Sequence, residues 1–422
     1  MAPLFTGLAR NLGGYGFGRI SVVGASSYVF GDTNFYTLSG SYLEYGYVTS
    51  ILQDSSDVTG KTIYVASVQN DANAKSFVSK IDLGTPQILW QKTFGNTATY
   101  GKATSCAVDS GGNVIVASSC ATGNLLFKYN SSGTLQWQRN LQASSVYYGA
   151  WNDLSVDSSD NIYVAGNASG GGGGDCVLAK YNSSGSLQWQ RRMGMGDSSG
   201  WAGVRLDSSA NVYVSGSVKN GPYYRVNAKY NSSGTIQYQV TTNTSGAYWG
   251  KIAIDSSTGD HWITAYDSGA LAKYNSSGSL QWSVNPGSTH YNIAYANSTL
   301  YLGGYNSQYY SARNPANGSI NWQKSISNVG ISDIEATSTY IYFTGVVTSG
   351  GDIGKIFIGV VNSTTGGTNG TYGSYTLSNS TLSNSALVLT SSVSAYTTTA
   401  SSYTDAAGPQ SEATPAVTIA NV

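Results

Sequence analysis

Apolar and polar positions alternate in short runs along most of this chain, and each run ends in turn chemistry. Residues 154–166 read Leu-Ser-Val-Asp-Ser-Ser-Asp-Asn-Ile-Tyr-Val-Ala-Gly. After a glycine-rich loop, residues 175–191 read Asp-Cys-Val-Leu-Ala-Lys-Tyr-Asn-Ser-Ser-Gly-Ser-Leu-Gln-Trp-Gln-Arg. A period of two in β-branched and aromatic residues predicts half-buried strands rather than helices. Four strands follow: Ser155–Val156 into a turn at Asp157–Asp160, a return over Asn161–Gly166, then Cys176–Tyr181, a turn at Asn182–Gly185 and a return over Ser186–Arg191. Asx side chains bond their own backbone and glycine accepts positive φ, so both turns suit tight hairpins.

This four-strand unit recurs. Lys-Tyr-Asn-Ser-Ser-Gly stands at Lys128–Gly133, Lys180–Gly185, Lys229–Gly234 and Lys273–Gly278, and weaker copies flank these. The fourth-strand aromatic falls at Trp90, Trp137, Trp189, Tyr238, Trp282 and Trp322, spaced 47, 52, 49, 44 and 40 residues apart. With a last, degraded copy starting at Tyr340–Tyr342, there are seven. Units of roughly 45 residues built of short strands predict an all-β, seven-bladed β-propeller of four-stranded blades, which removes free sheet edges by radial closure. An open solenoid would need distinct polar caps, and here the end copies merely decay. The predicted organisation is an N-terminal arm over 1–44 that anchors the chain and contributes a closing strand, a propeller over 45–366, and a Ser/Thr-rich C-terminal segment over 367–422, partly strand and partly extended tail.

Composition narrows the function. Of 422 residues only 10% are charged, and 21 Lys+Arg balance 21 Asp+Glu. That balance argues against a nucleic-acid partner, which requires a basic face. No apolar run approaches the length of a membrane span, so no membrane insertion is expected. The opening residues lack the apolar stretch of a secretory signal, which predicts release into the producer's cytoplasm and makes the Asn-x-Ser/Thr sites turns rather than glycan acceptors. The odd set Cys106, Cys120 and Cys176 predicts small core residues.

Candidate chemistry is sparse. The only histidines, His261 and His290, stand in different copies. Asp54, Asp109, Asp157, Asp207 and Asp255 recur at one repeat position, which predicts a turn-holding role rather than a catalytic one. Asp-Ser-Ser-Asp lacks the features of a calcium loop, and Gly170–Gly174 opens no helix. No cofactor, no metal and no catalytic residue are therefore expected. Trp90, Trp137, Trp189 and Trp282 are expected in the core. The copies differ most in the segments entering each unit and in the loops between second and third strands, which a propeller gathers on one face. They supply Tyr47, Tyr100, Tyr148, Trp151, Trp201, Trp249, Tyr291, Tyr223, Tyr224, Tyr309 and Tyr310 as candidate ligand-binding aromatics, suited to stacking on sugar rings or to an adaptable protein surface.

The repeat resembles the SBBP-type β-propeller repeat of bacterial surface and secreted proteins. Its pattern, Asp-x-x-Gly/Asp-Asn-x-Tyr-Val-x-Gly, a glycine-rich loop, then Asp-x-x-x-x-Lys-x-Asn-x-x-Gly-x-x-x-Trp/Tyr, matches Asp157–Trp189, and the resemblance runs from about Tyr45 to Gly366. It implies fold and says little of function. The opening Gly13-Gly14-Tyr15-Gly16-Phe17-Gly18-Arg19 is similar to the starts of some tail-associated virion proteins of marine tailed phages. That resemblance implies a non-enzymatic structural and adhesive virion protein at a tail or fibre. Its expected partners are other virion proteins, including copies of itself in a homo-oligomer or symmetric assembly, and a host-surface polysaccharide. The alternatives are an exported SBBP-type adhesion module and a polysaccharide-degrading propeller using a loop carboxylate such as Asp267 or Asp175.

Overall fold

The alternation becomes seven antiparallel sheets arranged as a closed ring of blades in the computed structural model. The described residues are 19–22, 32–39, 47–68, 76–94, 102–120, 123–141, 146–170, 174–193, 199–219, 223–242, 250–265, 270–287, 290–304, 307–350, 353–372, 374–380, 385–386, 391–393, 398–400 and 420–421. Among them no helix is long and apolar enough to cross a membrane. Blade 3 shows the plan: Val146–Val156 on the inside, then Ile162–Gly170, Gly174–Tyr181 and Leu187–Met193 outward, each hairpin-paired with the last.

The ring closes through its N-terminal arm. Thr33–Ser39 pairs with Ile356–Asn362 as the fourth strand of blade 7, with Thr33 opposite Val361 and Leu38 opposite Ile356. Phe35, 1% exposed, seats this strand against Phe343, Phe357 and Tyr372. Tyr342 Oη donates to Gly60 O at 2.7 Å across the seam with blade 1. A fold that depends on first and last segments meeting carries a high closure entropy, and the dense aromatic packing at the seam offsets it.

The chain also covers its own rim. Arg19–Val22 adds a fifth strand to blade 7. The C-terminal segment then runs round the outside against the order of the blades. Tyr375–Asn379 pairs with blade 6, Ser385–Ala386 with blade 5, Ser391–Val393 with blade 4, Thr398–Ala400 with blade 3 and Ala420–Asn421 with blade 1. Outer strands would otherwise present unpaired backbone to other chains.

The repeated phrase is a blade-to-blade latch. Each outer-strand aromatic lies on the turn glycine of the next blade. A Cβ on Gly133 would sit 2.8 Å from the Trp90 ring, on Gly185 2.9 Å from Trp137, and on Gly278 2.7 Å from Tyr238. These glycines have φ of +78°, +77° and +81°, where side chains are strained. The indoles of Trp90, Trp137 and Trp189 donate to Ser131 O, Ser183 O and Ser232 O at 2.9, 3.2 and 3.0 Å. Arg139 and Arg191 add bonds from the same strands to Gly185 O and Gly234 O, both at 2.6 Å. The expectation that these tryptophans are core is corrected: Trp90, Trp137, Trp189 and Trp282 are half-buried, because the outermost strand leaves one edge of each ring in solvent. The motif lysine ties inward as well, with Lys80 Nζ 2.9 Å from Asp54 and Lys128 Nζ 2.7 Å from Asp109. The recurring Asp thus holds its turn and anchors the neighbouring strand.

Candidate functional site

The inner strands carry the geometry that matters for function. Six share one irregularity: pairing with the second strand slips by a residue between Val48 and Ser50, Ala103 and Ser105, Trp151 and Asp153, Trp201 and Gly203, His290 and Asn292, and Ile331 and Asp333. A β-bulge re-aims the side chain that follows it. The second strand accommodates this with glycine at three blades, since a Cβ on Gly166, Gly216 or Gly345 would collide with the carbonyl of Ala150, Gly200 or Gly330.

Two rings of residues result. Counting from the six bulges, and four residues before the turn Asp255 in blade 5, the first contains Ser50, Ser105, Asp153, Gly203, Lys251, Asn292 and Asp333. The second, two residues on and so on the same strand face, contains Leu52, Ala107, Ser155, Arg205, Ala253, Ala294 and Glu335. Members of both rings line an axial chamber of about 270 Å³. Its lining extends to Gln53, Ser55, Val108 and Val156, beside the turns after the inner strands. The chamber therefore reaches toward the turn face and away from the loop face.

Charge in this chamber is unevenly matched. Asp153, 3% exposed, accepts from Ser105 Oγ at 3.0 Å, Val204 N at 3.1 Å and Arg205 at 2.7 Å, with Lys251 Nζ at 3.6 Å. Burial would raise its pKa, but Arg205 and Lys251 outweigh it and hold the carboxyl below the usual range. Lys251 Nζ also donates to Asn152 O at 3.0 Å. Across the chamber, Asp333 Oδ2 accepts Ile51 N at 2.9 Å from another blade, and the carboxylate also takes the backbone N–H of Ile334. No cation lies within ion-pair distance of Asp333 or Glu335 among the described residues. Burial, with repulsion from neighbouring carboxylates, pushes Asp333 up to about 6 and Glu335 up to about 7, against the partial relief that Lys251 and Arg205 give.

Other titratable groups are sealed into structure. His261 is fully buried between blades, bonded to Asn227 Nδ2 at 2.8 Å and Gly259 O at 3.1 Å, and burial lowers its pKa to about 4. The Cys106 thiol, on the chamber wall, is pushed up to about 12 by burial. Asp175 is buried and ion-paired with Arg192, and Asp267 lies outside the described residues.

The aromatic candidates divide. Trp151, Trp201 and Tyr310 are corrections: each is 0% exposed. The first two immediately precede bulges, which turn them outward into the packing between blades. Tyr310 is packed by Trp322 and Phe343 and donates to Gly366 O at 2.7 Å. Tyr224, Tyr291 and Tyr309 are half-buried, and Tyr224 packs against the core between blades 3 and 4. Tyr100 and Trp249 lie outside the described residues, and only the backbone is described for Tyr47, Tyr148 and Tyr223. The axial charges were missed by sequence reasoning. Their signal was available: in a chain 10% charged, Asp153, Arg205, Lys251, Asp333 and Glu335 stand on inner strands at positions that other copies fill with Ser, Ala, Leu, Asn or Gly.

No family model and no curated protein matches the chain. Solved structures do. The β-propeller domain of Cps50 (Swd1) from Myceliophteria thermophila is 11% identical, with a TM-score of 0.51 over 76% of this chain and 97% of that one. BamB from Moraxella catarrhalis is 11% identical, with a TM-score of 0.46 over 80% and 95%. Sqt1 from Saccharomyces cerevisiae is 13% identical, with a TM-score of 0.45 over 75% and 96%. The chain is a seven-bladed β-propeller. At such identity the likeness concerns fold alone, and propellers carry many unrelated functions.

Proposed function

We propose that this propeller is a non-catalytic structural and adhesive component of a tailed-phage particle, carried at the tail or a fibre. Its loop face engages a host-surface glycan or another virion protein. The observation that carries the reading is the covered rim: among the described residues, six of seven sheets bear a fifth strand from the chain's own ends. A rim saturated with its own backbone is a poor template for further strands, which leaves recognition to the two faces. On the loop face the half-buried Tyr224, Tyr291 and Tyr309 combine apolar area with a polar tip, and the neutral chain suits contact without charge steering.

Immunogold labelling of intact particles tests the location, and pull-down of purified chain by intact host cells tests the adhesion. The expected result is label at the tail, with cell binding reduced in a folded Tyr291→Ala/Tyr309→Ala variant. Particles without label would overturn the virion reading. Cell binding that survives the double substitution would remove the loop face from it.

A further inference from the structure

We infer that the axial chamber is a binding site for a primary ammonium group, borne either by a small free amine or by a lysine side chain of a partner. This reading concerns the turn face and stands apart from the loop-face adhesion proposed above.

The chamber is rich in acceptors that take only backbone donors or none. Asn292 is 2% exposed and lines the cavity, and its Nδ2 donates to Ser332 O. That bond leaves Oδ1 as an acceptor with no partner. Asp333 Oδ2 receives a single backbone donor from a neighbouring blade, Ile51 N. Glu335 accepts the Ala336 backbone N–H but receives no side-chain donor and no cation among the described residues. These three side chains come from the adjacent inner strands His290–Ala296 and Val329–Ala336. All three offer acceptors, so the complementary guest is a donor. An ammonium group carries three N–H donors and one positive charge.

Charge counting agrees. With every group ionised, Arg205 and Lys251 oppose Asp153, Asp333 and Glu335, which leaves one negative charge uncompensated. The cations already face Asp153 at 2.7 and 3.6 Å, so the deficit falls on the Asp333–Glu335 side. The upward-shifted pKa values of those two carboxyls express the same deficit. A bound cation that also donates hydrogen bonds makes charge-assisted contacts, stronger than neutral ones. The mixed lining selects against a bare polyanion and against an apolar guest.

Isothermal titration of the full chain with n-butylammonium at pH 8 and low salt is the direct test, with tetramethylammonium as a cation lacking N–H donors. Saturable one-to-one binding of butylammonium and none of tetramethylammonium is expected. Glu335→Gln and Asp333→Asn should each weaken binding about tenfold or more, the loss of one charge-assisted bond. Affinity should also fall between pH 8 and pH 5 as Glu335 and then Asp333 take up protons. The other charged groups facing the chamber are Asp153, Arg205 and Lys251; Asp153, held low, and Arg205, held high, keep their charge over that range, and the Cys106 thiol stays neutral. If a neutral variant does not fold, Glu335→Asp keeps the charge but draws the carboxylate back by one methylene and is expected to weaken binding. A short peptide with one central lysine separates the sources: comparable binding indicates a partner's side chain, and binding of the amine alone indicates a small metabolite. No saturable binding to wild type overturns the assignment, as does affinity indifferent to all three substitutions.

Discussion

The rim and the axis of this molecule are built from the same blades by opposite rules. At the rim the copies agree: a turn glycine at positive φ lies under the previous blade's outer aromatic at Gly133, Gly185, Gly234, Gly278 and Gly318. At the axis they disagree, and the ring after the bulges runs Ser, Ser, Asp, Gly, Lys, Asn, Asp. The rim residues satisfy one another by packing and by bonds to backbone. The axial residues leave two carboxyls short of positive charge and the Asn292 amide oxygen, on the cavity wall, without a donor. Repetition marks what every blade needs in order to stand beside its neighbour. Divergence at a position where the backbone is the same marks what the assembled ring needs only once.

That contrast can be broken in several places. The largest expected effect is at the seam, where both ends of the ring meet. Phe35→Ala removes a buried ring held by three aromatics and should cost about 3–5 kcal/mol, read by urea unfolding. A loss under about 1 kcal/mol would mean that the closing strand does not hold the ring. Next is the compensated carboxylate. Asp153→Ala leaves Arg205 and Lys251 without their shared partner, and about 2–3 kcal/mol is expected from the lost charged hydrogen bonds, with the higher figure discounted for the partial exposure of Arg205. At the rim, Gly185→Ala combines strain at φ +77° with a Cβ 2.9 Å from Trp137, and about 1–2 kcal/mol is expected. Serine at the same position should be no better, because the strain is in the backbone and the ring is in the way.

A pH dependence separates the two regions by its sign. Glu335 has a folded pKa near 7 and Asp333 near 6, both above their ordinary values of 4.5 and 3.8. Between those limits the folded chain keeps protons that the unfolded chain releases. Stability should therefore fall as pH rises from about 4 toward 7, and scanning calorimetry of wild type against Asp333→Asn/Glu335→Gln should show that the double variant has lost this dependence. Asp153 has the opposite sign, and its contribution disappears only in more acidic solution.

Sequence reasoning reached the blades because turn and latch residues act locally and are repeated: Asp157 closes its own hairpin, accepting from Ser159 N and Asn161 N at 2.9 Å. It did not reach the side on which Trp151 and Trp201 lie. A bulge shifts the strand face by one residue, and nothing in a period-of-two pattern announces where the shift falls. Nor did it place the C-terminal strands, since Ser391–Val393 or Thr398–Ala400 becomes a strand only against an edge that another part of the chain supplies. The axial site was hidden for a third reason: its members stand some fifty residues apart in the chain and meet only when the ring closes.

The central claim is that the axis is set for a guest at the expense of stability whereas the rim serves stability alone. Unfolding free energies of wild type and Glu335→Gln at pH 8, measured without ligand, test it most directly. The account predicts that the variant, relieved of a half-buried carboxylate that lacks its counter-charge, is as stable as wild type or more so. A variant clearly less stable than wild type at that pH would show that Glu335 is already satisfied by the folded chain, and the distinction between rim and axis would be lost.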